Sequence, residues 1–386
     1  MQASLNWGHV FVFVAVIFAL MWVAKQTKSK VVLFITSVIM ICVAGLRHGY
    51  VDTRAYRNGF LGHDPNQIFN PEFWADPDIR DKGFAVLQSI IKFFTDDAQV
   101  FLFIMSLVTV GCLFWAIIKY SPEMDFGIFL FITMGCYVDT MNGLRQAIVA
   151  AVLFLVLPKL RIEKKLVPYL IVVLLASTVH GSALIFIPIY FIADKKPWSA
   201  STAIVIVACL VVYVFFNTGI GDALVEILDG TSYGEDYGQM LSEGNSSVNV
   251  LRVFVAGVPV IISLLYHNAH MRKDTGIKSY TPINPNDLTN EQIAAVKAEP
   301  MYNISFNMSL ISLLCWFFAT KVLYFYRLAM YFTPYTIIFI IYEISCIRSA
   351  EERKIVKWIT IICYFVFFLY GLYAMGNQFF VGYLKY

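Results

Sequence analysis

Residues 98–118 read AQVFLFIMSLVTVGCLFWAII, a run without a single charged side chain. A helix over this run would rise about 31 Å, enough to cross the roughly 30 Å hydrocarbon core of a bilayer. Apolar runs of similar character, several of them shorter, recur at 9–24, 31–46, 126–138, 143–157, 166–179, 182–193, 199–216, 249–266, 302–319, 329–346 and 356–374. They predict an all-α integral membrane protein, a polytopic helix bundle of about twelve transmembrane segments forming one domain, 1–386.

The composition excludes several other classes of protein. Of the 386 residues, 59% are apolar and only 14% are charged, with a mean hydropathy of +0.68. Soluble domains are about half apolar and a quarter charged, so the chain is neither a soluble, a disordered nor a disulfide-stapled secreted protein. The seven cysteines lie in apolar runs without a C-x-x-C pair, which argues against a disulfide framework and a cysteine zinc site. A net charge of +3 gives no argument for a nucleic-acid partner.

Charge asymmetry predicts the orientation. No Lys or Arg precedes the first run, while Lys25, Lys28 and Lys30 follow it, so we expect an uncleaved span whose following connection is cytoplasmic. Every second connection after that is basic: Lys119; Lys159, Arg161, Lys164 and Lys165; Lys195 and Lys196; Arg272 and Lys273; Arg348, Arg353, Lys354 and Lys357. The opposite connection 217–248 holds six acidic and no basic residues. We therefore expect both termini outside the cytoplasm, with outer loops at 47–97 and 217–248 and a cytoplasmic loop at 267–300.

Two loops contain helical patterns of their own. In the first outer loop, the apolar residues of 84–94 recur at helical spacing, which predicts an interfacial helix along the outer membrane face. In the cytoplasmic loop, Thr289 followed three residues later by Gln292 predicts a capped helix within 287–299.

Polar residues gather at four places that the topology puts on the outer side. Cluster 1 is RHGYVDTRAY (47–56), cluster 2 is DTMNGLRQ (139–146), cluster 3 is STVHGS (177–182) and cluster 4 is KVLYFYR (321–327). The runs 126–138 and 166–179 would reach only about 20 Å, so we expect clusters 2 and 3 below the outer surface, beside an outward-facing cavity. Ionisable residues within a membrane usually face such a cavity.

The side chains in these clusters suit transfer chemistry on an anionic lipid. Arg47, Arg145 and Arg327 could grip a diphosphate through their planar forks, and His180 could act as general base with Asp52 orienting it or sharing the role. This set suits glycosyl transfer from a polyprenyl diphosphate, a leaving group that cations stabilise. Other interpretations stay open at this point: each arginine could be an interfacial anchor, His180 a packing residue, and Asp52 an ion-pair partner of its arginine neighbours. His267 and His270 lack a third ligand, so no metal site is predicted.

At these clusters the chain resembles the EpsG family, a branch of the bacterial Wzy-type polysaccharide polymerases. The resemblance lies in Arg47, Gly49, Asp52 and Tyr56, then NGLRQA (142–147), HGSAL (180–184) and YRL (326–328), in an order that covers about residues 8–375. Val51 stands where the family usually has a glycine, and the loop after Tyr56 is long.

The resemblance implies a GT-C-like fold with short or broken helices, without metal or other cofactor. It also implies polymerisation of undecaprenyl-diphosphate-linked oligosaccharides on the outer face of the bacterial cytoplasmic membrane, with a flippase and a chain-length regulator as partners. Arg145 and Arg327 would hold the donor diphosphate with help from Arg47. His180 or Asp52 would act on the acceptor hydroxyl, and Asn142, Gln146 and Tyr56 would contact sugar or phosphate. Lys321 and Tyr326 in cluster 4 complete the expected substrate-binding set.

Three alternatives remain at this stage. An O-antigen ligase would use the same donor with a different acceptor. A transporter or flippase of lipid-linked sugars should place its polar sites near the midplane, often in paired repeats, and the chain shows neither. A membrane O-acetyltransferase or a scaffold would have no need of three outer arginines.

Overall fold

The structure, a computed structural model, describes residues 7–77, 79–215, 248, 250–273, 286–322 and 325–374. All regular secondary structure in these residues is helical, which confirms the all-α prediction. The helices are Trp7–Thr27 (α1), Lys30–Gly45 (α2), Thr53–Leu61 (α3), Pro71–Ala75 (α4), Lys82–Lys92 (α5), Ala98–Tyr120 (α6), Met124–Thr133 (α7), Cys136–Asp139 (α8), Leu144–Ile162 (α9), Leu166–Val179 (α10), Phe186–Ile192 (α11), Ala200–Val214 (α12), Val250–Lys273 (α13), Asn290–Ala298 (α14), Pro300–Phe318 (α15), Phe325–Ser345 (α16) and Ala350–Ala374 (α17), with 3-10 helices at Pro65–Phe69 and Gly181–Ile185.

Each apolar run predicted to span the membrane coincides with helix in the structure, but the helices differ in length. Within the described residues, five are long and apolar enough to cross a bilayer, namely Gly8–Thr27, Ala98–Tyr120, Pro300–Phe318, Phe325–Ser345 and Ala350–Tyr373. Six shorter apolar helical stretches of the described residues have 10 to 17 residues, and α9, with 19 residues, is not among the five. The total of about twelve spans therefore stays a prediction, as does the single membrane domain. Most of the predicted outer loop 217–248 lies outside the described residues, as does 274–285 of the cytoplasmic loop.

Two predicted segments are broken rather than continuous, and the expectation of one helix in each is wrong. Residues 126–138 divide into α7 and α8 because Gly135 has a φ of 85°, a left-handed conformation that a helix cannot continue through. Residues 182–193 begin as the 3-10 helix Gly181–Ile185 and become α-helical only at Phe186. Pro188 has no N–H to donate to residue 184, so the α-helical ladder cannot extend through that preceding turn.

The two predicted loop helices are present. Helix α14 begins after Thr289, whose hydroxyl accepts from the Gln292 N–H, and the Gln292 side chain accepts from the Thr289 N–H. This is the reciprocal capping box that the spacing predicts. Helix α5 occupies most of 84–94, with Phe84 and Ile91 buried and Phe94 exposed. Its placement along a membrane face stays a prediction.

The chain divides into two compact units. Unit 1 comprises Met1–Trp74, Asp81–Ile185 and Glu351–Tyr386, and unit 2 comprises Ala75–Arg80 and Phe186–Ala350. In unit 1, α6 packs against α2 and α9, and α9 packs against α10. In unit 2, α15 and α16 form the main helix pair, and Phe306 and Phe339 stack edge-on between them.

Candidate active site

A buried carboxylate organises one end of unit 1. Asp81 lies directly before α5 in a left-handed conformation, with a φ of 51°, and only 4% of its side chain is exposed. Its Oδ2 accepts a hydrogen bond from Nη1 of Arg145 at 2.7 Å and lies 3.4 Å from Nδ1 of His180. Its Oδ1 accepts from the Gly181 N–H at 3.3 Å. One carboxylate therefore joins clusters 2 and 3.

Three elements place these groups. Gly143, with a φ of 57°, turns the chain so that α9 begins at Leu144 and Arg145 falls in its first turn. His180 follows the last residue of α10 in an extended conformation that ends the helix. Helix α5 rests on α10 at Gly83, where a Cβ atom would come within 2.7 Å of the Thr178 backbone, so only glycine allows this approach. The approach keeps Asp81 beside the end of α10.

The contact with Asp81 bears on the tautomer of His180. A carboxylate accepts hydrogen bonds, so the neutral His180 ring is assigned its proton on Nδ1, facing Asp81, and Nε2 is the nitrogen that can accept a proton. The side chain of His180 is 11% exposed. A His–Asp contact of this kind fixes the tautomer and the ring orientation.

The arginine is more accessible than its partner. Of the Arg145 side chain 39% is exposed, and its guanidinium carbon lies 5.9 Å from the centre of the Phe84 ring. The Tyr56 ring meets the same Phe84 edge-on at 6.1 Å. Tyr56, from cluster 1, thus contacts the same ring as Arg145 of cluster 2.

The Asp52 side chain contacts the backbone of cluster 2. Its Oδ2 accepts from the Gly143 N–H at 3.2 Å, which ties cluster 1 to the turn that precedes Arg145. In the same turn, Asn142 Oδ1 is shielded from solvent without a hydrogen-bond partner in the described part of the chain, and Gln146 is buried. The carboxylate within reach of His180 is Asp81, and the predicted action of Asp52 on the acceptor stays a prediction.

Arg47 is enclosed by the helices of unit 1. It is 1% exposed, and its guanidinium donates to the Ala44 carbonyl, Thr53 Oγ1 and Ser106 Oγ. These contacts tie the end of α2 to α3 and α6. They give Arg47 a structural task, and its predicted assistance to the donor stays a prediction.

The cluster 4 residues lie in unit 2 among aromatic rings. The Lys321 ammonium is 5.2 Å from the centre of the Tyr213 ring, and the Tyr326 ring is 6.5 Å from that of Trp316. Arg327, in the first turn of α16, is exposed. Arg252 of α13, which the sequence patterns did not single out, lies 5.8 Å over Trp316.

The comparison with protein families concerns the chain as a whole. The model of the EpsG family matches residues 30–385, nearly the whole chain. The chain belongs to the EpsG family. No curated protein and no solved structure matches this EpsG-family chain.

Membership of the EpsG family indicates an exopolysaccharide polymerase-type role in a membrane protein. The matched region contains all four clusters and Asp81. Asp81 itself belongs to none of the clusters. The sequence gives only a slight signal for it, namely Gly83 two residues later at the start of a helix, because glycine permits close packing. In the described residues of this EpsG-family chain, no three His, Cys, Asp or Glu side chains are grouped so as to hold a metal ion, and the His267 and His270 side chains lie outside that part.

Proposed function

We propose that this EpsG-family protein is a polysaccharide polymerase. It transfers a growing glycan from undecaprenyl diphosphate to a sugar hydroxyl of the next lipid-linked repeat unit. The observation that supports the proposal is the convergence of Arg145 and His180 on Asp81, because a guanidinium suited to phosphate and an imidazole suited to act as a base then lie beside one carboxylate.

The roles follow from the chemistry of each group. The acceptor hydroxyl oxygen attacks the anomeric carbon of the donor, and its proton passes to Nε2 of His180. The bond from the anomeric carbon to the phosphate oxygen breaks, and the electron pair leaves with the diphosphate. The Arg145 guanidinium stabilises the charge that develops there through charge-assisted hydrogen bonds. Asp52 holds the turn that carries Arg145 in place.

The remaining candidates also have proposed roles. Tyr56, beside Phe84, and Asn142 and Gln146, beside Arg145, are assigned to sugar or phosphate contacts. For cluster 4, which belongs to unit 2, the roles proposed from the sequence alone are diphosphate binding by Arg327 and substrate binding by Lys321 and Tyr326. Arg47 is assigned a supporting role only, because its guanidinium is enclosed.

The proposal includes the setting of the reaction. We place the protein in the cytoplasmic membrane of a bacterium as a GT-C-like bundle of about twelve spans. Its cavity faces the periplasm or cell exterior, where a flippase delivers lipid-linked oligosaccharide and a chain-length regulator acts on the product. The charge asymmetry of the loops and the short helices α7 and α10 support this orientation.

The test is glycan length in cells that lack the gene, restored with the wild type, Arg145→Ala, His180→Ala or Lys119→Ala. We expect a polymer ladder with the wild type and with Lys119→Ala, whose ammonium contacts the adjacent Tyr120 hydroxyl away from the site. The other two variants should yield a single lipid-carried repeat while remaining in the membrane. If cells that lack the gene accumulate full-length polymer on its lipid carrier, the protein is a ligase instead. If loss of the gene leaves the glycan unchanged, transport or a scaffold is favoured.

A further inference from the structure

Asp81 and Arg145 differ in how freely they can move. The Asp81 carboxylate is 4% exposed and is held by the Gly181 N–H, whereas 39% of the Arg145 side chain is exposed on the surface of the site. A buried carboxylate cannot follow a partner that turns away. The guanidinium, at the end of a flexible stem, can turn.

We propose that Asp81 is a positioning residue whose carboxylate shifts its main interaction from Arg145 to His180 when the donor binds. This inference rests on the proposed function. In the unloaded site the carboxylate pairs with Arg145, and an incoming diphosphate competes with it for the same guanidinium. Once Arg145 turns to the phosphate oxygens, the buried carboxylate keeps Nδ1–H of His180 and the Gly181 N–H as its donors.

The exchange ties base catalysis to the presence of donor. When His180 takes the acceptor proton, it becomes an imidazolium, and a carboxylate released from Arg145 stabilises that charge better than one already paired. A buried carboxylate that loses a cationic partner is destabilised, so departure of the arginine favours the imidazolium. Without donor, the Asp81 carboxylate is shared between Arg145 at 2.7 Å and His180 at 3.4 Å, so it stabilises an imidazolium less than it would after Arg145 has turned away.

The backbone at Asp81 supports a specific task for this side chain. A φ of 51° is uncommon for a residue other than glycine, and such conformations gather at functional sites. Asparagine tolerates the left-handed region at least as well as aspartate. Asp81→Asn therefore keeps the backbone and the shape of the side chain while removing the negative charge.

The test compares binding with turnover in the purified full-length chain. The binding probe is undecaprenyl diphosphate without sugar, titrated into the protein in nanodiscs, and turnover is followed with lipid-linked repeat units. We expect Asp81→Asn to bind the probe about tenfold more tightly, because Arg145 has lost its competing carboxylate. We expect kcat to fall about 100-fold, so that KM for the donor and kcat fall together. Asp81→Glu should restore part of kcat.

Two controls separate this exchange from a structural ion pair. Asp96→Asn removes a carboxylate that is 88% exposed and should change neither value. In an Arg145→Ala background, Asp81→Asn should no longer tighten probe binding. If the wild type binds the probe and Asp81→Asn binds it equally or more weakly, the exchange is overturned, and the proposed polymerase function is unaffected. A wild type that binds no probe and builds no polymer overturns both.

A measurement on the wild type removes the dependence on a folded Asp81 variant. Nitrogen NMR of labelled histidine, assigned with His180→Gln, reports the protonation and hydrogen bonding of the ring. Adding the probe should shift the Nδ1 signal of His180, because its carboxylate partner has been released by Arg145. An unchanged Nδ1 signal with bound probe overturns the proposal.

Discussion

At the scale of single residues, Val51 is under backbone strain. Its φ of 36° lies where a β-branched side chain is a genuine outlier, and 53% of the residue is exposed. Val51→Gly should relieve about 1–3 kcal/mol of strain and lose up to about 1 kcal/mol to the greater freedom of the unfolded chain. We expect a net gain of roughly 1 kcal/mol, measured as a higher unfolding temperature in detergent. Val51→Ala, which keeps a Cβ, should gain less, and equal gains would refute the strain argument.

His63 should contribute to the dependence of stability on pH. Burial, followed by the nearby charge of Lys92, lowers the pKa of His63 below its usual 6.5, while Asp64 acts in the opposite direction. The unfolded chain then binds more protons than the folded one near that pH, so stability is complete above about pH 6.5 and declines as pH falls below it. We expect a lower unfolding temperature at pH 5.5 than at pH 7.5 and a smaller difference in His63→Gln. An identical pH slope in both proteins would contradict this.

At the scale of elements, the contact of α5 with α10 should tolerate no side chain at Gly83. A Cβ there would meet the Thr178 backbone at 2.7 Å, so Gly83→Ala must push the helices apart and move Asp81 away from His180. We expect a loss of about 1–3 kcal/mol of stability and a shortened glycan ladder in complemented cells. The matched control is Gly59→Ala in α3, where nothing lies within 4 Å. That variant should be neutral or slightly stabilising, because alanine favours helix.

The elements also show which features follow from local sequence. Helix α10 occupies the predicted 166–179, and α14 begins at its predicted cap, because apolar runs and capping boxes act within a few residues. The breaks at Gly135 and before Phe186 also have local causes, but each lies within a continuous apolar run that by itself predicts one helix. Asp81 could not be predicted in this way, since its partners Arg145 and His180 lie 64 and 99 residues away and meet it only once α5 packs on α10.

At the scale of the whole molecule, charged residues that are far apart in the sequence form ion pairs at the end of unit 1 that lies away from the candidate site. Lys25 of α1 pairs with Asp125 at 2.9 Å and with Glu123 at 3.5 Å, and Lys357 of α17 also pairs with Glu123. The basic partners come from connections predicted to be cytoplasmic. The same residues that predict the orientation therefore also hold the ends of three helices together. Since the pairs are partly exposed, each contributes at most about 1 kcal/mol.

The orientation itself is open to a direct measurement. If the charge asymmetry of the loops governs insertion, α4 faces the exterior and the turn after α9 faces the cytoplasm. Single cysteines at Glu72 and Glu163, both exposed, would be introduced after replacement of the seven native cysteines. In intact cells, a membrane-impermeant maleimide should label Glu72→Cys and leave Glu163→Cys unlabelled until the membrane is permeabilised. Labelling of Glu163→Cys in intact cells would place Asp81, Arg145 and His180 on the side where lipid-linked glycans are assembled rather than polymerised, and the proposed reaction would lose its setting.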